Sequence, residues 1–324
     1  QFVDRLAPLL ICAACFDRQP NIRRAASAVI QELAGRTQRF PHWLDVIGRT
    51  EFHELSMVRH TFVELGVHFA TNYEVFGPTI IRHLAEDKCA HWGPDIRRLA
   101  AEALGNISER VPFSGTAHLD LLLERTLTAD LNARHGSILA LSHLIAHDRS
   151  LVLDEQPDQP DDGVNQSWVP RIHSLVHALS TRNLFAGIGG DFMRESCLSL
   201  IDHYCRRFAA STPSMPNLPV LTKLWLELIH NTIQTNETDF VQSSTVSVVG
   251  SFAAFLNQPE SSPPDHQLQQ PECTRSHFLR QLLSVLSRHD QYYAISTVCK
   301  SLLLMDRSLL LDQPPQPNFD AFLQ

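Results

Sequence analysis

The stretch NIRRAASAVIQEL (Asn21–Leu33) reads as a single amphipathic helix. Ile22, Ala25, Ala26, Val29, Ile30 and Leu33 recur at helical spacing and form one apolar face. The same stripe returns as Val58, Thr61, Phe62, Leu65, Gly66 and Phe69, and again as Ile96, Leu99, Ala100, Ala103, Leu104 and Ile107. A fourth copy is Ala133, Gly136, Ser137, Ala140, Leu141 and Leu144. These copies lie roughly 37 residues apart, in the range of helical repeat arrays. Two more follow at longer intervals: Met193, Ser196, Cys197, Leu200, Ile201, Tyr204, then Val241, Ser244, Thr245, Val248, Val249, Phe252. A weaker seventh runs from Ala294 through Thr297, Val298, Ser301 and Leu302 to Met305. An Arg follows the first stripe position in five copies (Arg23, Arg59, Arg97, Arg134, Arg194), with Gln242 in its place in the sixth.

Shorter apolar helices fall between the stripes, at Leu6–Phe16, Trp43–Ile47, Gly77–Leu84, Ala117–Leu127, Trp168–Leu179, Leu218–Gln234 and Ser276–Ser287. Each unit is therefore a helix pair of HEAT or armadillo length. One such pair cannot bury its own apolar face and must stack on its neighbours. The expected fold is all-α, an α-solenoid of about six to seven HEAT/armadillo-like repeats coiled into a right-handed superhelix. Val246–Val249, the β-branched run, fits the helical stripe. The expected organisation is repeats over 1–153, an acidic Pro-containing disordered loop over 154–167, and repeats of the same solenoid over 168–256. A Pro/Gln-rich loop over 257–271, a further helical repeat over 272–311 and a frayed tail over 312–324 complete it.

The 324 residues are 44% hydrophobic and 19% charged, enough for a large buried core and incompatible with a wholly disordered chain. A net charge of −8 argues against non-specific nucleic-acid binding. No apolar run approaches the roughly 20 residues of a membrane span, and no signal peptide is legible. Seven cysteines, mostly inside apolar helical patterns, fit buried thiols in a reducing compartment. Cys12 and Cys15 form a C-x-x-C without a second ligand pair, so they read as core residues.

Catalytic signals are weak. His143/His147 and His173/His177 sit one helical turn apart, but neither pair carries the Glu of an H-E-x-x-H metal motif. His53-Glu54 is a lone His-Glu step, short of the several that a HEAT-type di-iron hydroxylase requires. No P-loop and no G-x-S-x-G elbow is present. The glycine-rich Phe185–Gly190 precedes a helix with no strand before it, so it reads as an inter-helix turn. The expectation is no catalytic, cofactor or metal site. Gly136 on the fourth stripe implies close approach of a neighbouring repeat. The Arg series has two readings: an internal ladder that pairs with acids of the adjacent repeat, or a partner-binding face formed by Arg23, Arg59, Arg97, Arg134, His135 and Arg194.

Four blocks carry a family resemblance: FDRQPNIRRAASAVIQELAGR (Phe16–Arg36, followed by Phe40–Ile47), HWGPDIRRLAAEALGNISERVP (His91–Pro112), LNARHGSILALSHLI (Leu131–Ile145) and RNLFAGIGGDFMRESCLSLID (Arg182–Asp202). In order and spacing they resemble the middle of the tubulin-folding cofactor D (tubulin-specific chaperone D) family. The match is specific over roughly residues 10–205 and weaker beyond, and Pro259–Gln324 departs most. Because that family's proteins are much longer, the chain is expected to be a central segment or a truncated gene product.

The resemblance implies a non-catalytic cytoplasmic scaffold associated with the microtubule cytoskeleton. Such a scaffold captures β-tubulin and, with cofactors C and E and an Arf-like small GTPase, assembles and disassembles the αβ-tubulin heterodimer. A GTPase-activating role belongs to that assembly and not to a site on this chain. The competing reading is a HEAT-repeat adaptor or transport receptor of karyopherin or phosphatase-scaffold type, which shares the architecture but does not predict the His91–Pro112 and Arg134–Ala140 blocks.

Overall fold

The structure, a computed structural model, describes residues 2–113, 115–150, 168–208, 218–235, 238–256, 275–286 and 292–305. The expected acidic loop, the Pro/Gln-rich loop and the tail lie outside the described residues. The chain divides into two compact units, Gln1–Trp168 and Val169–Gln324. Every regular element among the described residues is helical.

The first unit opens with α1 (Phe2–Phe16), α2 (Pro20–Thr37) and α3 (Trp43–Arg49), then a 3-10 turn at Glu54–Ser56. The next helical run comprises α4 (Val58–His60), a π segment at Thr61–Leu65 and α5 (Gly66–Asn72). α6 (Gly77–His83) runs into a second π segment at Leu84–Lys88. α7 (Pro94–Ser108), α8 (Ala117–Arg125) and α9 (Leu131–His147) close the unit. The second unit holds α10 (Trp168–Thr181), α11 (Gly190–Phe208), α12 (Leu218–Thr235), α13 (Asp239–Phe255), α14 (Arg275–Val285) and α15 (Tyr292–Leu304).

Local chemistry sets where these helices begin. Pro20 and Pro94 occupy the first turns of α2 and α7, where a missing N–H costs nothing. Thr116 Oγ1 accepts from Leu119 N (3.3 Å) to cap α8, and Asp130 Oδ1 accepts from Asn132 N (2.9 Å) to cap α9. The helices pair as the stripes predict. α7 packs between α5 and α9 in the first unit, and α13 packs between α11 and α15 in the second.

The third and fourth stripes are buried at all six positions. The fifth is likewise buried from Met193 to Tyr204. Aromatic rings fill the layer between helices, with Phe16 edge-on to Phe62 (5.1 Å) and Tyr204 edge-on to Trp225 (5.1 Å). Each such ring contributes roughly 1.5–3 kcal/mol by burial.

The first stripe departs from the expectation. Ala26 and Ile30 are buried, but Ile22 is 48% exposed, and Ala25 and Val29 are exposed too. The reason lies in the packing: α2 rests on α1, α3 and the Glu54–Ser56 turn, which cover the flank bearing Arg23, Ser27 and Ala34. Its other flank has no covering helix among the described residues.

Candidate functional site

The Arg series is the candidate that the sequence singles out, and the structure separates its members by burial. Arg23 and Arg97 are each 1% exposed. Arg97 Nη1 donates to the carbonyls of His91 (2.8 Å) and Trp92 (3.0 Å), six and five residues before it. Arg23 Nη1 does the same with Asp17 (2.8 Å) and Arg18 (3.0 Å). Arg134, also buried, donates to Thr128 O (2.7 Å), again six residues back. In each case the guanidinium folds back onto the turn that precedes its helix and satisfies carbonyls that helix geometry leaves open.

The same side chains also reach forward. Arg23 Nε and Nη2 donate to Leu55 O and Ser56 O, both at 2.9 Å. Arg97 donates to Asn132 Oδ1 (2.7 Å) and, through Nε, to His135 Nδ1 (2.9 Å). Because Arg has no acceptor, His135 Nδ1 must be the accepting nitrogen, and its ring proton sits on Nε2. Burial pushes the Arg23 guanidinium down from its ordinary value, opposed by the nearby Asp17 carboxylate.

Two members differ. Arg59 is exposed and forms a bidentate ion pair with Glu102 of α7, Nη1 to Oε2 at 2.6 Å. Glu102 holds its pKa above the ordinary Arg value, chiefly by hydrogen bonding. Arg194 pairs with Asp191 in its own first turn (3.2 Å). Gln242, the Arg replacement, also bridges repeats: its Nε2 donates to Thr297 Oγ1 (2.9 Å) and its Oε1 accepts from Lys300 (2.8 Å). A rung of the expected acid ladder is thus found at Arg59, and the buried members donate to carbonyls of the preceding turn. Arg23, Arg97, Arg134 and His135 are committed inside the fold and do not form an exposed face.

Gly136 behaves as its place on the stripe predicts. A Cβ there would overlap the Cys89 carbonyl at the end of the second π segment. The glycine-rich Phe185–Gly190 is a turn between α10 and α11, with Gly187 and Gly189 at φ 71° and 87°. His173 Nε2 meets the Tyr204 hydroxyl (3.1 Å), and His147 Nδ1 meets Glu109 (2.8 Å). Among the described residues no cluster of three His, Cys, Asp or Glu is arranged to hold a metal ion. Cys12 and Cys15 are buried and unbridged, with burial pushing the Cys12 thiol up to about 12. No described helix is long and apolar enough to cross a membrane.

One surface was not legible from the periodicity. Around the turns preceding α2, α4 and α7, Phe52, Met57 and Trp92 are 60%, 69% and 65% exposed. Arg24 lies over the Phe52 ring (3.8 Å to centroid) and Arg18 over the Trp92 ring (4.5 Å). Turn residues carry no helical period, so the available signal was aromatic residues beside Arg in adjacent turns.

A family profile described as "Tubulin-specific chaperone D-like, ARM repeats" matches residues 1–44. Tubulin-specific chaperone D of Dictyostelium discoideum is 26% identical over 201 residues, covering 60% of this chain and 13% of that protein. Tubulin-folding cofactor D of Schizosaccharomyces pombe is 23% identical over 140 residues, covering 42% of this chain and 12% of that protein. The chain spans only about an eighth of the length of these relatives. No solved structure matches. The chain is similar to tubulin-specific chaperone D, as its sequence blocks imply.

Proposed function

We propose that this chain is a repeat segment of a tubulin-folding cofactor, a non-catalytic scaffold that binds β-tubulin. In this reading it works with cofactors C and E and an Arf-like small GTPase to assemble and take apart the αβ-tubulin heterodimer in the cytoplasm, beside the microtubule cytoskeleton. Any GTPase activation belongs to that assembly. The similarity to tubulin-specific chaperone D over 201 residues carries the proposal. The helix-pair stack supports it physically, since stacked repeats present extended surface to a folded partner. Of the Arg series, the exposed Arg59 and the partly exposed Arg194 are the members we assign to partner contact. Arg23, Arg97, Arg134 and His135 hold the repeats that display them.

The test is capture of purified β-tubulin, αβ-tubulin and the Arf-like GTPase on the immobilised chain, at low and high salt, with helicity checked by circular dichroism. Tubulin capture that weakens in salt supports the reading. A folded chain that captures no form of tubulin overturns it.

A further inference from the structure

The second π segment, Leu84–Lys88, packs against α7, α8 and α9. Its closing bond runs from Cys89 N to Leu84 O (2.9 Å), five residues back, where an α turn would reach Ala85 O. The Ala85 carbonyl therefore lacks the donor that α geometry would bring it. Ala85 is buried, and a buried open carbonyl is costly. Arg125, at the end of α8, supplies a donor instead. Its Nη1 donates to Ala85 O (3.0 Å) and to Glu86 O (2.9 Å). Arg125 and the Cys89 amide are thus rivals for one acceptor.

The register has consequences for the chain that follows. It sets the Cys89 carbonyl directly onto Gly136 of α9, where any Cβ would overlap it. His91 N then bonds Lys88 O (3.2 Å), and the chain runs on to the His91 and Trp92 carbonyls that Arg97 holds. A donor from α8 and a gap in α9 together match one course of the chain into α7.

We propose that the end of α6 is a joint with two hydrogen-bond registers, held in the π register by Arg125. With Arg125 engaged, Cys89 N keeps Leu84 O and the chain enters the next turn as described. With Arg125 withdrawn, Cys89 N takes Ala85 O and the segment becomes α-helical. The residues from Cys89 to Trp92 then rotate by about 100° about the helix axis, one residue's worth of helical turn. That rotation lifts the Cys89 carbonyl from Gly136 and swings the Cys89 side chain out of the core. The Ala85 carbonyl has a donor in both registers, so a single side chain can decide between them. Arg125 is a positioning residue through which α8 sets the course of the turn before α7.

The test uses the full chain, maleimide labelling of its cysteines in the native state, and mass spectrometry to assign each label. Cys89 is fully buried, with burial pushing its thiol up to about 12, so the unaltered chain should label there very slowly. In Arg125→Met, labelling of Cys89 should rise about tenfold, while Cys12 and Cys15, buried in the same unit, keep their rates. Loss of the Arg125 charge alone works the other way, because that charge favours the thiolate. Deleting the exposed Glu86 shortens the segment by one residue, which makes the Cys89–Leu84 bond an α bond. In that shortened chain Arg125→Met should leave Cys89 as slow as in the unaltered protein. Unchanged Cys89 labelling in Arg125→Met overturns the proposal, as does an equal rise at Cys12 and Cys15, which is general loosening. Fast labelling of Cys89 alone in the shortened chain with Arg125→Met overturns it too.

Discussion

Helices α2 and α7 carry the same stripe and the same inward Arg, yet one is covered on two flanks and the other on one. Ile96 is 3% exposed in α7, while its counterpart Ile22 is 48% exposed in α2. The Arg is buried in both, with the same pair of backward carbonyls. The backward grip on the turn is therefore the same in both repeats, whatever covers the stripe. Burial of the stripe is a property of the stack, and it depends on what lies alongside.

Substitutions at matched positions test this division. Arg97→Met, which leaves the His91, Trp92, Asn132 and His135 acceptors without their donor, should have the largest effect. At least about 3 kcal/mol of stability should be lost in urea unfolding of the first unit. Arg23→Met should cost a similar amount if turn closure is local. A loss under about 1 kcal/mol at Arg23 would tie the role to the stack instead. Ile96→Ala should cost about 2–4 kcal/mol, whereas Ile22→Ala should cost under about 1 kcal/mol. Equal losses at the two sites would mean that the Ile22 flank is covered in solution. Such cover would also register as self-association in light scattering, relieved by Ile22→Ser/Val29→Ser.

Gly136→Ala sharpens the same point at the most tightly spaced joint. Overpacking against the Cys89 backbone should cost about 1–3 kcal/mol. A smaller effect comes from pH. Burial is the first cause holding His83, His91 and His173 below the ordinary His value of 6.5. Their unfolded forms therefore bind protons first as pH falls, so stability should be full above about pH 7 and decline through pH 6.5 towards the depressed folded values. A melting temperature flat from pH 7.5 to 5.5 would contradict this. Smallest is Arg59→Ala: its ion pair with Glu102 is largely solvent-exposed, so the loss should stay under about 1 kcal/mol and shrink in salt.

The helix-pair order was legible in the sequence because apolar residues at helical spacing report a buried face directly. α7 and α9 match their stripes residue for residue. What a stripe cannot report is its neighbour, which is why Ile22 and Val29 read as core and are exposed. The π segments at Thr61–Leu65 and Leu84–Lys88 were invisible for a related reason: one widened turn leaves a short hydrophobic pattern nearly unchanged. The Arg spacing was legible and its partners were not. Backbone carbonyls have no letter in the sequence, so an acid ladder was one natural expectation; Arg59 with Glu102 of the next repeat meets it, and the carbonyl partners of Arg23 and Arg97 could not be read.

The buried arginines also bear on how such turns are free to differ. Many turns are closed by their own residues, through glycine, proline or a short polar side chain, and those positions are then spoken for. Here a side chain from the following helix closes the turn by gripping its carbonyls, which any amino acid supplies. The letters at Arg18 and Trp92 are thereby released from closing the turn. At Arg23, Arg97 and Arg134 one residue works as the fastener, and the turn it fastens becomes open ground for display.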